Sequence, residues 1–296
     1  MTSLNTKYSL SPEQQALLPK ESDVAFYEEH GWYTSPQVIP EEVIDRAILG
    51  AQRFYRGERD GTLPLDEGYC NWTPEQGNIM RNNEFISLQN REIRQLVHFP
   101  LISAIAAKLV RTDEIRLLDD QLISKPPQID NQAENMVGWH SDLAYWASCS
   151  SNKIFTAWIP LQDCDESMGP LVVIDKSHKW PGLEDMRFFN DKDMENWENK
   201  FRSEGKEIVK VPMTLKKGQI SFHHGWAIHG SYPNHSSVDR RVVAIHLQDG
   251  ENHYRPYFDK QGRKVQMFDE KLCRTLPNGD PDFSDPDIFP VLWSGK

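Results

Sequence analysis

A histidine and an aspartate two residues apart, in Gly138-Trp139-His140-Ser141-Asp142, are answered 87 residues after Asp142 by His229 in Ile228-His229-Gly230-Ser231. On an extended strand, residues two apart point to the same face. His140 and Asp142 are therefore expected to project together, and an imidazole from a second strand would complete a three-cornered ligand set. Two His and one carboxylate on one side of a metal leave the opposite positions open, which is the arrangement of non-haem Fe(II) oxygenases.

The His-x-Asp pair alone is weak evidence. With 10 His and 44 Asp+Glu in 296 residues, chance supplies roughly 1.5 His-x-carboxylate pairs. The neighbours add specificity. Arg240 stands eleven residues after His229, followed by Arg241 and the apolar run Val242-Val243-Ala244-Ile245. A guanidinium's planar fork binds a carboxylate bidentately, so an Arg entering a strand beside an iron site suits an acidic cosubstrate such as 2-oxoglutarate. Strand alternation lets only one of the two arginines point inward. Arg240 is the first choice, and Arg241 the alternative if the register is shifted by one.

Other motifs run in order along the chain. They are Phe26-Tyr27-Glu28-Glu29-His30-Gly31-Trp32, Gln121-Leu122-Ile123-Ser124-Lys125-Pro126-Pro127, Thr156-Ala157-Trp158-Ile159-Pro160-Leu161, Gly169-Pro170-Leu171-Val172-Val173-Ile174 and Ser177-His178-Lys179. With the stretches around His140 and His229-Gly230-Ser231-Tyr232-Pro233-Asn234, this series resembles the phytanoyl-CoA dioxygenase-like branch of the Fe(II)/2-oxoglutarate oxygenases, from about Ala25 to Asp249. The resemblance implies that His140, Asp142 and His229 are the catalytic iron ligands and that Arg240 is the salt-bridge partner of 2-oxoglutarate. It places Trp158, Gln121 and Thr156 beside that cosubstrate. It also implies Fe(II), 2-oxoglutarate and O2 as the reacting set, with succinate and CO2 released as an unactivated C–H bond is oxidised. Hydroxylation is the default outcome; desaturation, epimerisation and ring formation differ only in the fate of the substrate radical. One departure is Glu166-Ser167-Met168-Gly169, where the family often has Glu-Asn/Asp-Gly; that turn is expected to shape a loop and leave the iron site unaffected. Related halogenating enzymes replace the carboxylate ligand with a small residue, so Asp142 speaks against halogenation.

A net charge of −11 argues against nucleic acid, which favours a basic face. No apolar run approaches the length of a membrane span, and Met1-Thr2-Ser3-Leu4-Asn5 has no charged-then-apolar signal pattern. Cys70, Cys149, Cys164 and Cys273 are widely scattered without zinc or redox spacing, which points to reduced thiols in a cytoplasmic protein. The expected partner is a small molecule. No basic cluster stands ready for the phosphates of a CoA ester. The aromatic flanks of the His-x-Asp motif, including Tyr145 and Trp146 as pocket walls, point instead to an organic, partly apolar substrate such as a specialised metabolite.

Helical spacing comes first. Val24 to His30 reads as a helix capped by Ser22 and stopped by Gly31. Apolar residues from Val43 to Tyr55 recur at helical spacing behind Pro40 as a first-turn proline, and a third helix covers Glu92 to Val110 with a break near Pro100. Strands follow at Ile115–Ser124, Ile154–Leu161, Leu171–Ile174, Gln219–Phe222 and Arg241–Gln248, divided by turn signals. Helices first and strands later predict an α+β fold, with N-terminal helices packed on one sheet of a jelly-roll, cupin-like barrel (a double-stranded β-helix). The expected organisation is a single domain over 1–296: a mostly helical part to 113, a barrel core over 114–249 with an insertion at 182–205, and a C-terminal extension over 250–296. The insertion reads as a solvated excursion or a lid, and Tyr254, Tyr257 and Phe258 of the extension as candidates to touch substrate.

Other histidines take structural readings. His223 and His224 are expected as supporting or core residues, His246 as structural, and His178 as a loop anchor. Trp139 is expected in the core. Two competing functions are a metal-binding cupin-like protein without oxygenase activity and a cupin-type enzyme that needs no keto acid. Loss of Arg240 would leave the latter active.

Overall fold

Period-two alternation sets up the strand that carries Arg240. Along Arg240–Asp249, Val243, Ile245 and Leu247 pack into one apolar cluster, whereas Val242 and Ala244 join Trp158 in a separate cluster on the other face. The computed structural model, which describes residues 8–65, 77, 79–128, 135–259 and 261–295, places this strand inside a seven-stranded antiparallel sheet. The order is Trp32–Thr34, Ser221–His224, Phe155–Pro160, Arg240–Asp249, Glu114–Lys125 and Val291–Ser294, with Arg81–Glu84 also pairing with Glu114–Lys125. A four-stranded antiparallel sheet, in the order Val137–His140, His229–Ser231, Val172–Ile174 and Lys210–Pro212, provides the second layer. The result is the α+β jelly roll that the pattern of elements predicts.

The helices Glu41–Tyr55, Arg91–Val97 and Pro100–Leu109 close the outer face of the larger sheet. Val43, Ile44, Ala47, Phe54, Ile93, Leu96, Leu101 and Ile105 share one cluster with Leu122, Ala157, Phe222, Val243 and Ile245. Pro100 starts a new helix, as its missing N–H and fixed φ favour. Two boundaries differ from expectation. Helix Glu21–His30 begins behind Lys20, not Ser22, because the Asp23 carboxylate accepts the Lys20 N–H at 2.8 Å. Pro40 is the N-cap of its helix and stands just before the first turn. Gly31 ends Glu21–His30 at φ 79°, and the His178 ring lies where a Cβ would be, so only glycine fits both demands.

A more consequential difference concerns the His-x-Asp motif. Strand Val137–His140 stops at His140, and Asp142 opens a short helix, Asp142–Tyr145, in place of continuing the strand. The chain turns because Leu143 N–H donates to Gly225 O at 2.9 Å. Ser141 keeps extended dihedrals, φ −118° and ψ 139°.

The 182–205 segment holds the helix Met194–Ser203 and packs against the smaller sheet: Phe188, Trp197 and Phe201 share a cluster with Trp139, which is fully buried. Gly138 N–H donates to Phe189 O at 2.9 Å, and Phe189 N–H to the Tyr145 hydroxyl at 3.2 Å. A Cβ on Gly138 would run into the backbone carbonyls of Phe188 and Asp191. Gly138→Ala is therefore expected to lower stability by about 2 kcal/mol, since the overlap is with backbone and must be relieved by displacing a chain segment. Urea unfolding of the variant and wild type would measure it.

The C-terminal part returns to the barrel. Val291–Ser294 pairs with Glu114–Lys125, and helix Phe268–Leu272 packs with Phe85, Leu118 and Trp146. Cys149, Cys164 and Cys273 are free and buried; Cys70 lies outside the described residues. Among the described residues no helix is long and apolar enough to cross a membrane.

Candidate active site

His140, Asp142 and His229 meet where the strands Val137–His140 and His229–Ser231 run side by side, with His140 and His229 in register. Their ligand-type atoms all lie within 4.8 Å of one another, and each residue is at least nine-tenths buried. The two imidazoles are held alike. Nδ1 of His140 lies 2.9 Å from Gly138 O, and Nδ1 of His229 lies 3.0 Å from Ala227 O. A carbonyl can only accept, so Nδ1 carries a proton in each ring and Nε2 is the nitrogen left to face a metal. Both Nε2 atoms turn toward Asp142 Oδ1, at 3.7 and 3.4 Å.

The other carboxylate oxygen is occupied. Thr156 donates its hydroxyl to Asp142 Oδ2 at 2.6 Å, and His223 Nε2 approaches the same oxygen at 3.3 Å. Oδ1 is thereby left for a ligand. Burial opposes ionisation of Asp142, yet His229 and the hydrogen bond from His223 hold its carboxyl well below the usual range. Burial pushes His140 down to about 3, so that ring is neutral and able to donate its lone pair. Two neutral-capable imidazoles and an anionic carboxylate, converging through Nε2, Nε2 and Oδ1, fit an Fe(II) ion.

Behind this cluster lies a narrow inner cavity of about 60 Å³. Its walls include His140, Asp142, His229, Gln121, Thr156, Trp158 and Arg240. Arg240 is 2% exposed; its Nη1 donates to Gly169 O at 2.5 Å, its guanidinium sits 5.5 Å from the Trp158 ring centroid, and its Nε has no hydrogen-bond partner among the described residues. Arg241 is on the other face and pairs with Asp239. The choice between the two arginines is thus made by the strand. The turn at Glu166–Met168 and Gly169 touches Arg240 through that carbonyl, and so bears on the cavity floor more than on the ligand cluster.

An outer chamber of about 500 Å³ opens on the same histidine and aspartate. Tyr145, Trp146, Phe189 and Phe268 supply aromatic wall, and Gln121 lines both spaces. Phe189 and Asn190 bring the 182–205 segment into this wall. From the extension it is Met267, Phe268 and Asp269 that line the chamber; Tyr254, Tyr257 and Phe258 do not. Tyr254 instead packs into the apolar cluster around Phe283, and Tyr257 pairs in a hairpin with Val265.

Three further residues bear on this site; the sequence singles out no role for Lys125, and reads His246 as structural and His223 as a supporting or core residue. His246 lines both cavities, with Nδ1 2.7 Å from Thr156 Oγ1, and so has a place in the site that the structural reading did not give it. It is six residues after Arg240 on one strand, and period-two counting puts both on one face. Lys125 is opposite Arg240 in the sheet register and is fully buried, with Nζ 2.5 Å from Ser231 Oγ and 2.7 Å from Tyr232 O. Burial and the Arg240 charge push its ammonium well below the usual lysine range. The third is His223, which stands behind Asp142 with Nε2 3.3 Å from Oδ2.

A jelly roll with two His and one carboxylate at its mouth, and a buried cation at the inner end of the same cavity, has the layout of an iron- and keto-acid-dependent oxygenase. The phytanoyl-CoA dioxygenase (PhyH) family model matches residues 27–242, and the chain belongs to that family of Fe(II)/2-oxoglutarate-dependent dioxygenases. The peroxisomal phytanoyl-CoA dioxygenase of Bos taurus is 25% identical over 263 residues, covering 83% of this chain and 73% of that protein. In fold, the chain is similar to the non-haem alpha-ketoglutarate-dependent carbocyclase SnoK from nogalamycin biosynthesis, with TM-score 0.67, 21% identity and coverage of 92% of this chain and 96% of that one. The epimerase SnoN, in complex with Fe3+, alpha-ketoglutarate and nogalamycin RO, is similar at TM-score 0.66 and 22% identity, covering 94% and 99%.

Proposed function

We propose that this protein oxidises an unactivated C–H bond of a small organic molecule, a specialised metabolite, by hydroxylation, with His140, Asp142 and His229 holding Fe(II) and Arg240 holding 2-oxoglutarate. The observation that carries the reading is the placement of a buried guanidinium, with no carboxylate partner among the described residues, in the wall of the cavity that also holds the three ligand-type atoms. When bound, Fe(II) with 2-oxoglutarate and O2 supplies the oxidant, and succinate and CO2 leave as co-products. The chain's own residues orient and exclude. Arg240 receives the distal carboxylate, Trp158 flattens the cavity beside it, and Thr156 and His223 restrain Asp142 so that one oxygen stays directed at the metal. Tyr145, Trp146 and Phe189 form the wall against which substrate is held. One catalytic domain working in the reducing cytoplasm is consistent with the scattered free cysteines.

The first experiment adds 2-oxoglutarate to the anaerobic Fe(II)-loaded protein and records the visible spectrum. The expected result is a charge-transfer band. A folded, iron-loaded protein that gives none would overturn the oxygenase reading in favour of a keto-acid-independent or non-catalytic cupin.

A further inference from the structure

The two cavities differ in their ionisable lining. The inner one ends at Arg240 beside Lys125, and the outer chamber is lined by Glu84, Asp119 and Asp269 with no Lys or Arg among its described lining residues. The three carboxyls come from separate elements: Glu84 from the strand Arg81–Glu84, Asp119 from Glu114–Lys125 and Asp269 from the helix Phe268–Leu272. Asp119 is 2% and Asp269 7% exposed. Few hydrogen bonds satisfy them. Gln121 Nε2 lies 3.2 Å from Asp119 Oδ2 and 3.5 Å from Glu84 Oε1, Phe85 N–H is 3.3 Å from Asp119 Oδ1, and Trp146 Nε1 donates to Asp269 Oδ2 at 3.3 Å. Asp269 Oδ1, buried at the chamber wall, has no partner among the described residues.

Buried carboxyls without a counter-ion are costly to ionise. Burial, compounded by their mutual repulsion, pushes Glu84 and Asp119 above the ordinary carboxylate range, and burial does the same to Asp269. A cation arriving in the chamber would relieve that cost. It would also meet aromatic side chains, since Tyr145, Trp146, Phe189 and Phe268 stand in the same wall and aromatic rings attract organic cations.

We propose that the outer chamber selects an organic cation, a protonated amine on a partly apolar body, with Glu84, Asp119 and Asp269 as its counter-charges and the aromatic wall beneath it. The proposal rests on the oxygenase reading and narrows its substrate class. The same lining repels phosphates, so an acyl-CoA thioester is disfavoured on charge. The neutral alternative, in which protonated carboxyls hydrogen-bond a hydroxylated substrate, is decided by the test.

The test uses three probes with one aromatic body: 3-phenylpropylamine, 3-phenyl-1-propanol and 3-phenylpropanoate. Each is offered by equilibrium dialysis, at low ionic strength, to the anaerobic Fe(II)·2-oxoglutarate protein. The amine should be retained about tenfold more tightly than the alcohol, the acid least of all, as expected for one desolvated charge pair. Asp269→Asn and Glu84→Gln should each reduce that preference several-fold. Each change keeps the side-chain shape and breaks no ion pair found among the described residues, so both variants should keep the wild-type circular dichroism and melting temperature, and the preference is compared in the variant that does. Equal retention of amine and alcohol, stronger retention of the acid, retention of no probe at millimolar concentration, or a preference untouched by both substitutions overturns the proposal. The charge-transfer band is read in the same samples. A band with no amine preference defeats the cation proposal alone, and a missing wild-type band defeats the oxygenase reading.

Discussion

Replacing His140 with Ala is expected to lower 2-oxoglutarate turnover by about 1,000-fold or more, because the metal centre supplies the chemistry and the variant keeps two of three protein ligands. The loss should appear first as metal. Iron retained after desalting should fall well below one equivalent, and the charge-transfer band with 2-oxoglutarate should vanish. Folding should survive, since His140 contributes one hydrogen bond to Gly138 O, and the adjoining Trp139 holds the core. A variant that keeps stoichiometric iron and turnover would remove His140 from the ligand set. Measuring iron content alongside succinate release separates loss of metal from slow chemistry.

Arg240→Gln has the next largest expected effect. The guanidinium is buried beside Trp158, with its Nε unpartnered among the described residues and one arm on Gly169 O, so a carboxylate would find a dry, preorganised fork. Removing one partner of a buried pair costs several kcal/mol. Lys125 remains across the strand and tempers the loss, so about 3 kcal/mol is expected, or roughly a 100-fold rise in the 2-oxoglutarate Kd. The substitution deletes an uncompensated buried charge, so the protein without cosubstrate should be no less stable. Titration of the charge-transfer band gives the Kd directly. Unchanged affinity and unchanged activity would favour an enzyme that uses no keto acid.

Much of this site is local enough to be written in the chain. Strand alternation distinguishes Arg240 from Arg241 because side chains change face at every residue, and the structure keeps that parity from Arg240 through Val242 and Ala244 to His246. The same counting extends to His246, whose alternation with apolar neighbours suggests a structural role when only burial is weighed. Pro100 and Gly31 act at single positions through φ and a missing donor or side chain, which is why their effects are readable without neighbours.

Whatever depends on distant segments meeting was settled by tertiary packing. Asp142 leaves the strand for a helical turn because Gly225, far along the chain, accepts the Leu143 N–H; no local propensity encodes that partner. Thr156, His223 and His246 converge on Asp142 only when the strands Phe155–Pro160, Ser221–His224 and Arg240–Asp249 lie side by side. The acidic chamber is the extreme case. Glu84, Asp119 and Asp269 look like ordinary surface carboxylates in sequence, where water would solvate each separately. The returning C-terminal helix brings the third of them into one chamber wall with the other two, and their shared desolvation becomes a property of the fold.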